Sequence, residues 1–404
     1  MAAGRSPNGP GAPAPTSKTL RFEDGARQFR LRVAVSLLTH RPILIRNIRP
    51  DDVDAPGLRE HEASFLRLID AMTNGTTVEI NSTGTQMRMK PGVLLGGDVD
   101  HDCPVFSGDD DASSIGGGAA RGVGWFLEGV APLAPFGKEA LNLTLRGITD
   151  GTASIDPTPD YVLASLIPLL SKLAGAGEDG ENLAPSLKVE RRGAAPGGGG
   201  SVRLYCPIVR EISRPVDLTD EGKIKRVRGT AVTMRVPASS GTRVAYSAKG
   251  LLHRLLPDVW VHTDNYAGRS CGPSPGLSVC LTAESTSGVA LSAEACLDPE
   301  RDARGAVLPE DLGTRVAAML LEEVRRGGCV DTGAQTLAFL LMCLGPEDVS
   351  RIRVGTLSLY SIEALRLFKR AFDVEFKVRA DESNKTVLLS CLGTGYRNMA
   401  RAST

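Results

Sequence analysis

The sequence predicts an α/β (α+β) protein: a large domain of three βα-type repeats with a smaller inserted α/β domain. Three observations carry this. Helix-to-strand units recur along the chain, a Gly-Gly motif returns at a fixed distance, and the gap before the last unit is domain-sized.

The first unit is HEASFLRLIDAMTNGTTVEI, His61 to Ile80. Apolar residues recur at helical spacing, Asn-Gly stops the helix, and a β-rich run follows. The second is DYVLASLIPLLSKLAGAG, starting at Asp160, then LKVERRG from Leu187; the third is SIEALRLFKRAFDVEFKV, Ser361 to Val378. After the first two comes the same motif, Gly96-Gly97-x-Val99-xxx-Cys103-Pro104 and Gly199-Gly200-x-Val202-xxx-Cys206-Pro207, with the copies 199 − 96 = 103 residues apart. The third unit comes too late for this period unless roughly 90 residues are inserted, the size of a small domain. Residues 212–302 suit it, with the strand-like GTAVTMRV, the helix-like VAYSAKGLLHRLL, then DVWVHT and GLSVCLTAES. The expected organisation is a disordered tail at 1–17, a large domain at 18–211 and 303–404, and the inserted domain at 212–302.

Composition sets the function classes. With 42% apolar and 4% aromatic residues, 404 residues support ordinary globular cores. Lys plus Arg and Asp plus Glu number 47 each, so any RNA contact comes from a local patch, not a whole-molecule field. The eight cysteines are scattered without a CxxC pair, which suits buried thiols in a reducing compartment better than disulfides or zinc. The opening MAAGRSPNGPGAPAPTS is no secretory signal, and no apolar run approaches the ~20 residues that span a bilayer, so a soluble protein is expected.

The most informative stretch is RRGGCVDTGAQTLAFLLMCLG, Arg325 to Gly345. Two glycines stop one helix, Asp331 or Thr332 can cap the next, and the first turn displays Gly333. Several basic features each admit a functional and a structural reading. Gly197 to Gly200 can cradle phosphate through backbone amides or form a tight turn, and it lacks the Lys-Ser/Thr of a P-loop. Arg21, Arg27, Arg30 and Arg32 can form a basic strip for RNA backbone or stand as solvated positions. KIKRVRG, Lys223 to Gly229, is an anion site, an import signal or the exposed start of the inserted domain. Asp109, Asp110 and Asp111 are a metal site or, as a run beside glycines and serines, a solvated loop.

RGAAPGGGGS (Arg192 to Ser201), IRNIRP (Ile45 to Pro50), PGLREH (Pro56 to His61) and RGITD (Arg146 to Asp150) together resemble the RNA 3′-terminal phosphate cyclase superfamily over nearly the whole chain. The resemblance implies the same fold, three βα repeats plus a small inserted domain. Active cyclases carry a histidine that becomes adenylylated; aligning Asp331 and the run ending LLMCL puts Gly333 in its place. The glycine-rich run similar to EGGGQILR is here EDGARQFR, and the basic loop similar to AGRAKPGL is here PDDVDAPGL, with Asp51, Asp52 and Asp54 where a triphosphate would sit.

LLEEVRRGGCVDT and GLREHEASF are similar to runs of the cyclase-like branch of that superfamily. The resemblance implies a ribosome biogenesis factor of the nucleus and nucleolus, a non-cyclase pseudoenzyme of the small-subunit processome. It would act in early pre-rRNA processing, binding a ribosome-assembly GTPase and contacting pre-ribosomal RNA and the small nucleolar RNP particle, with no cofactor, no metal and no membrane. Candidate anion or RNA contacts are Arg27, Arg30, Arg46, Arg49, Arg59 and Arg192; Arg46, Arg49 and Arg59 match cyclase positions near the ligand cleft. An alternative is an endoribonuclease cutting pre-rRNA with Arg325, Arg326 and Asp331, though a helix cap and dipole partners account for the same residues. A displaced nucleophile in an active cyclase is the minor alternative.

Overall fold

A computed structural model describes residues 18–53, 55–105, 120–151, 156–174, 184–297 and 307–401. The tail at 1–17, Asp54 and the run Asp109 to Asp111 lie outside the described residues.

The first repeat comprises β1 (Leu20–Phe22), α1 (Phe29–Thr39), β2 (Ile43–Ile45), α2 (Glu60–Met72), the short β3 (Thr73–Asn74), β4 (Thr77–Ile80) and β5 (Met87–Lys90), followed by β6 (Val93–Leu94). β1 lies parallel to β2, β5 antiparallel to β2, and β4 antiparallel to β5, so the order is β1-β2-β5-β4. The second repeat runs β7 (Gly97–Asp102), α3 (Val123–Val130), β8 (Leu141–Gly147), α4 (Pro159–Tyr161), a π turn Val162–Leu166 leading into α5 (Ile167–Ala174), β9 (Ser186–Arg191) and β10 (Gly200–Cys206). Its order is β7-β8-β10-β9, with the same parallel and antiparallel neighbours.

The third repeat opens with β11 (Asp217–Leu218) and is then interrupted by β12 (Ile224–Met234), α6 (Ala238–Leu252), β13 (Val259–Tyr266), β14 (Gly276–Ser285), β15 (Ala290–Cys296) and α7 (Pro309–Arg326). It resumes with α8 (Gln335–Leu344), β16 (Val349–Val354), α9 (Leu359–Phe372), β17 (Lys377–Asp381) and β18 (Thr386–Leu392). Its order β11-β16-β18-β17 repeats the first two, with β11 parallel to β16. The inserted strands form their own sheet, β13-β12-β14-β15. The chain thus has the α+β architecture expected of it.

The Gly-Gly motif is not what repeats. Its copies fall on β7 and β10, the first and fourth strands of one repeat, so 103 residues is a distance within a unit. The helix-to-strand units are the equivalent ones: α2 to β4, α5 to β9 and α9 to β17. The motif misled because both copies solve the same local problem. Gly96, Gly97, Gly198 and Gly199 all have φ between 60° and 79°, a left-handed bend before a strand that glycine adopts without strain.

Alternating burial in β8 and β10 and the near-complete burial of α8 build the large core. A second core lies between the inserted sheet and α6, and Leu312, Val316, Ala317 and Leu320 of α7 belong to it. β11, by contrast, sits within residues 212–302 yet pairs with the third-repeat sheet. On this packing we propose that the inserted unit runs from after Leu218 to Arg326. All eight cysteines are buried free thiols. No helix among the described residues is long and apolar enough to cross a membrane.

Candidate functional site

Gly333 sits where α7 hands over to α8. α7 stops at Arg326 because Gly327 turns left-handed, φ 71°. Asp331 then accepts from the Ala334 amide at 3.0 Å, so the capped turn precedes α8 rather than forming its first turn. The same buried carboxylate accepts from Tyr161 Oη at 2.5 Å, Ser165 Oγ at 2.7 Å and the Ser292 amide at 3.2 Å. Tyr161 and Ser165 are four apart and share one helical face, from which both hydroxyls donate to Asp331. Burial pushes Asp331 above the usual carboxylate range and Tyr161 well above its ordinary value, so the phenol stays a donor.

The consequence for Gly333 is steric. A Cβ there would stand 2.3 Å from Tyr161 Oη and 3.1 Å from its Cζ. The first carbon of any side chain at position 333 therefore overlaps a phenol fixed by a buried carboxylate. Nothing in the sequence signals Tyr161, which lies 170 positions from Asp331.

The cleft at Gly333 encloses about 690 Å³ between the large domain and the inserted unit. Its charged walls are largely paired. Glu128 meets Arg30 at 2.7 Å, Asp156 holds Arg121, and Glu322 and Glu323 hold Arg326 at 3.2 and 2.8 Å. Glu294, buried and accepting from the Thr158 amide at 3.0 Å and from its hydroxyl, is pushed up to about 8 by burial. Among the described residues, no group of three or more His, Cys, Asp or Glu is placed to hold a metal ion.

The structure separates the arginines singled out in the sequence. Arg30 lines the Gly333 side, stacked over Trp125 with its centre 4.6 Å from the ring. Arg46 pairs with Glu23 at 3.3 Å, Arg49 with Glu62, and Arg59 with Asp52 at 2.5 Å. Asp24 and Asp52, which lie in the runs that resemble the cyclase loops, thus each neutralise a guanidinium, Asp24 doing so for Arg32 at 2.6 Å. Each of these guanidinia is thus already paired with a carboxylate, which leaves less positive charge to attract a triphosphate.

Arg192 is buried and forked onto Asp160 at 2.5 and 2.8 Å, joining the second repeat to the inserted unit through the Gly272 amide at 2.8 Å. The glycine run beside it is a packed turn, since a Cβ on Gly272 would fall 1.8 Å from the Gly198 carbonyl oxygen. Arg27 is exposed and pairs with Glu363 at 3.2 Å, apart from this cleft. Of the residues considered for RNA cutting, Arg326 and Asp331 line the cleft, whereas Arg325 is exposed on α7 and pairs with Glu322 at 2.7 Å. In KIKRVRG, Arg226 and Arg228 pair across the inserted sheet with Glu284 and Asp258 at 2.6 and 2.9 Å.

Three copies of one sheet topology, a unit inserted in the third and a cleft between them match the architecture expected from the cyclase resemblance, with Tyr161 filling the space beside Gly333. The chain belongs to the RNA 3′-terminal phosphate cyclase family, whose model matches residues 21–378. It is 44% identical over 383 residues to the human RNA 3′-terminal phosphate cyclase-like protein, covering 93% of this chain and 96% of the human one. A Dictyostelium discoideum protein named as a probable RNA 3′-terminal phosphate cyclase-like protein is 42% identical over 394 residues, covering 95% of this chain and all of that one. The Schizosaccharomyces pombe protein named rRNA processing protein rcl1 is 37% identical over 388 residues, covering 96% and 99% of the two chains.

Proposed function

We propose that this chain is a non-cyclase member of the family that acts in ribosomal RNA processing as a binding module. The observation that carries this is the Tyr161 phenol in the space of a Gly333 side chain, held there by Asp331. The paired arginines Arg46, Arg49 and Arg59 support it, because adenylyl transfer from ATP needs both a nucleophile and free positive charge. The similarity to a relative named for rRNA processing gives the process. The nucleolus, the small-subunit processome, a ribosome-assembly GTPase, pre-rRNA and the small nucleolar RNP particle follow from resemblance to the cyclase-like branch.

As an endoribonuclease, the chain would use Asp331 to move a proton. Its carboxylate instead receives two hydroxyls and two amides, which favours the binding reading. Purified protein incubated with ATP, magnesium and a 3′-phosphorylated RNA tests the proposal. It predicts no 2′,3′-cyclic phosphate; cyclic product that scales with protein and is lost on a Tyr161 or Asp331 substitution would overturn it.

A further inference from the structure

α1 carries Arg30 and Arg32 two residues apart, so the side chains leave the helix on different faces. Arg30 looks toward Gly333. Arg32 lines a separate groove of about 600 Å³ formed by β1, the start of α1 and α9. Five arginines line it: Arg21, Arg27 and Arg32 from the first repeat, and Arg366 and Arg370 from the third. The lining carboxylates are Glu23, Asp24 and Glu363, so the formal balance is 5 − 3 = +2 in a chain whose net charge is zero. Glu23 is moreover shared with Arg46. Arg21, Arg366 and Arg370 have no carboxylate within ion-pair distance among the described residues; Arg370 donates instead to the Arg21 carbonyl at 2.8 Å.

The groove holds positive charge under tension. Arg32 is 5% exposed, its buried Nε has no hydrogen-bond partner among the described residues, and the Phe22 ring lies 4.2 Å from the Arg32 guanidinium and 4.9 Å from that of Arg370. Burial first, and the like charge of Arg370 with it, pulls the Arg32 pKa below its ordinary value despite Asp24. An anion in the groove would relieve that deficit. Arg366 and Arg370 are exposed and one helical turn apart, presenting two planar forks that bind phosphate oxygens and stack on bases.

We infer that the groove between β1 and α9 is a docking site for the phosphate backbone of a single RNA strand. The inference rests on the reading of this chain as an RNA-contacting module, and it gives that module a surface apart from the Gly333 cleft. A phosphodiester strand fits better than an acidic peptide because guanidinium planes use both its phosphates and its bases.

The test is fluorescence anisotropy of a labelled single-stranded oligouridine on the full chain as a function of salt. Variants are Arg21→Glu, Arg366→Glu and the double substitution, all at exposed side chains. Arg366→Lys keeps the charge, and Arg254→Glu, on the inserted unit, is the control. The inference predicts about tenfold or greater weakening for the double variant and a salt slope lower by roughly one per lost phosphate contact. Arg366→Lys retains most of the binding, and Arg254→Glu leaves it unchanged. Wild-type RNA binding that the double variant leaves intact overturns the groove while sparing the RNA-contacting reading. Absence of wild-type binding defeats both. A polyglutamate peptide that binds through the same arginines while RNA does not overturns the choice of ligand.

Discussion

The two grooves flanking α1 take opposite routes from similar material. At the Gly333 cleft Arg30 and Arg326 pair with carboxylates, and the space for a side chain at position 333 is filled by Tyr161. Across the helix, Arg21, Arg366 and Arg370 stand without carboxylate partners among the described residues, and the buried Arg32 Nε has no hydrogen-bond partner there. The first groove pairs most of its charges internally, whereas the second leaves three guanidinia without a carboxylate among the described residues. The resemblance to the cyclases draws the eye to the first groove; the free charge lies at the second.

The largest expected effect comes from breaking the filled side. Asp331→Ala removes the acceptor for Tyr161, Ser165 and two amides, and should cost about 3–5 kcal/mol of stability in chemical denaturation, as for a buried network losing its central partner. Next, Gly333→His should cost about 1–3 kcal/mol through overpacking against Tyr161. Combined with Tyr161→Ala, the loss should be smaller than the sum of the single losses, because the second substitution vacates the space the first one needs. Additive losses would show that the two side chains do not compete.

Glu294 sharpens the comparison through pH. Its folded pKa, about 8, lies above the ordinary 4.5, so its contribution to stability is full below about pH 4.5 and is lost as pH rises through about 8. Each unit of displacement corresponds to about 1.4 kcal/mol. Glu294→Gln should therefore raise the melting temperature at pH 8 more than at pH 5, and an equal shift at both would contradict the assignment. The smallest effect belongs to Arg325→Ala, which removes an exposed pair with Glu322 and should leave the denaturation midpoint unchanged.

What could be read from the sequence was local. The helix-to-strand units identified three repeats because each carries its own apolar periodicity; the Ser358 cap and left-handed Asp373 that bound α9 emerged only in the structure. Gly333 could be placed because Asp331 and the apolar run of α8 bracket it. The 103-residue motif misled because left-handed glycines before a strand arise wherever that bend is needed. The pairings were out of reach: Arg30 meets Glu128 from another repeat, and Arg366 and Arg370 join Arg21 only once the first and third repeats pack together. The Tyr161 phenol and Gly333 are likewise neighbours only in three dimensions.

We propose that Gly333 stands at the family's nucleophile position and that Tyr161 closes it. Intact-mass spectrometry of the purified protein after incubation with ATP and magnesium tests it directly, comparing wild type with Gly333→His and with Gly333→His combined with Tyr161→Ala. The account predicts no adenylyl adduct on wild type or on the single variant, where Tyr161 still fills the slot. An adduct on the wild-type protein would contradict it.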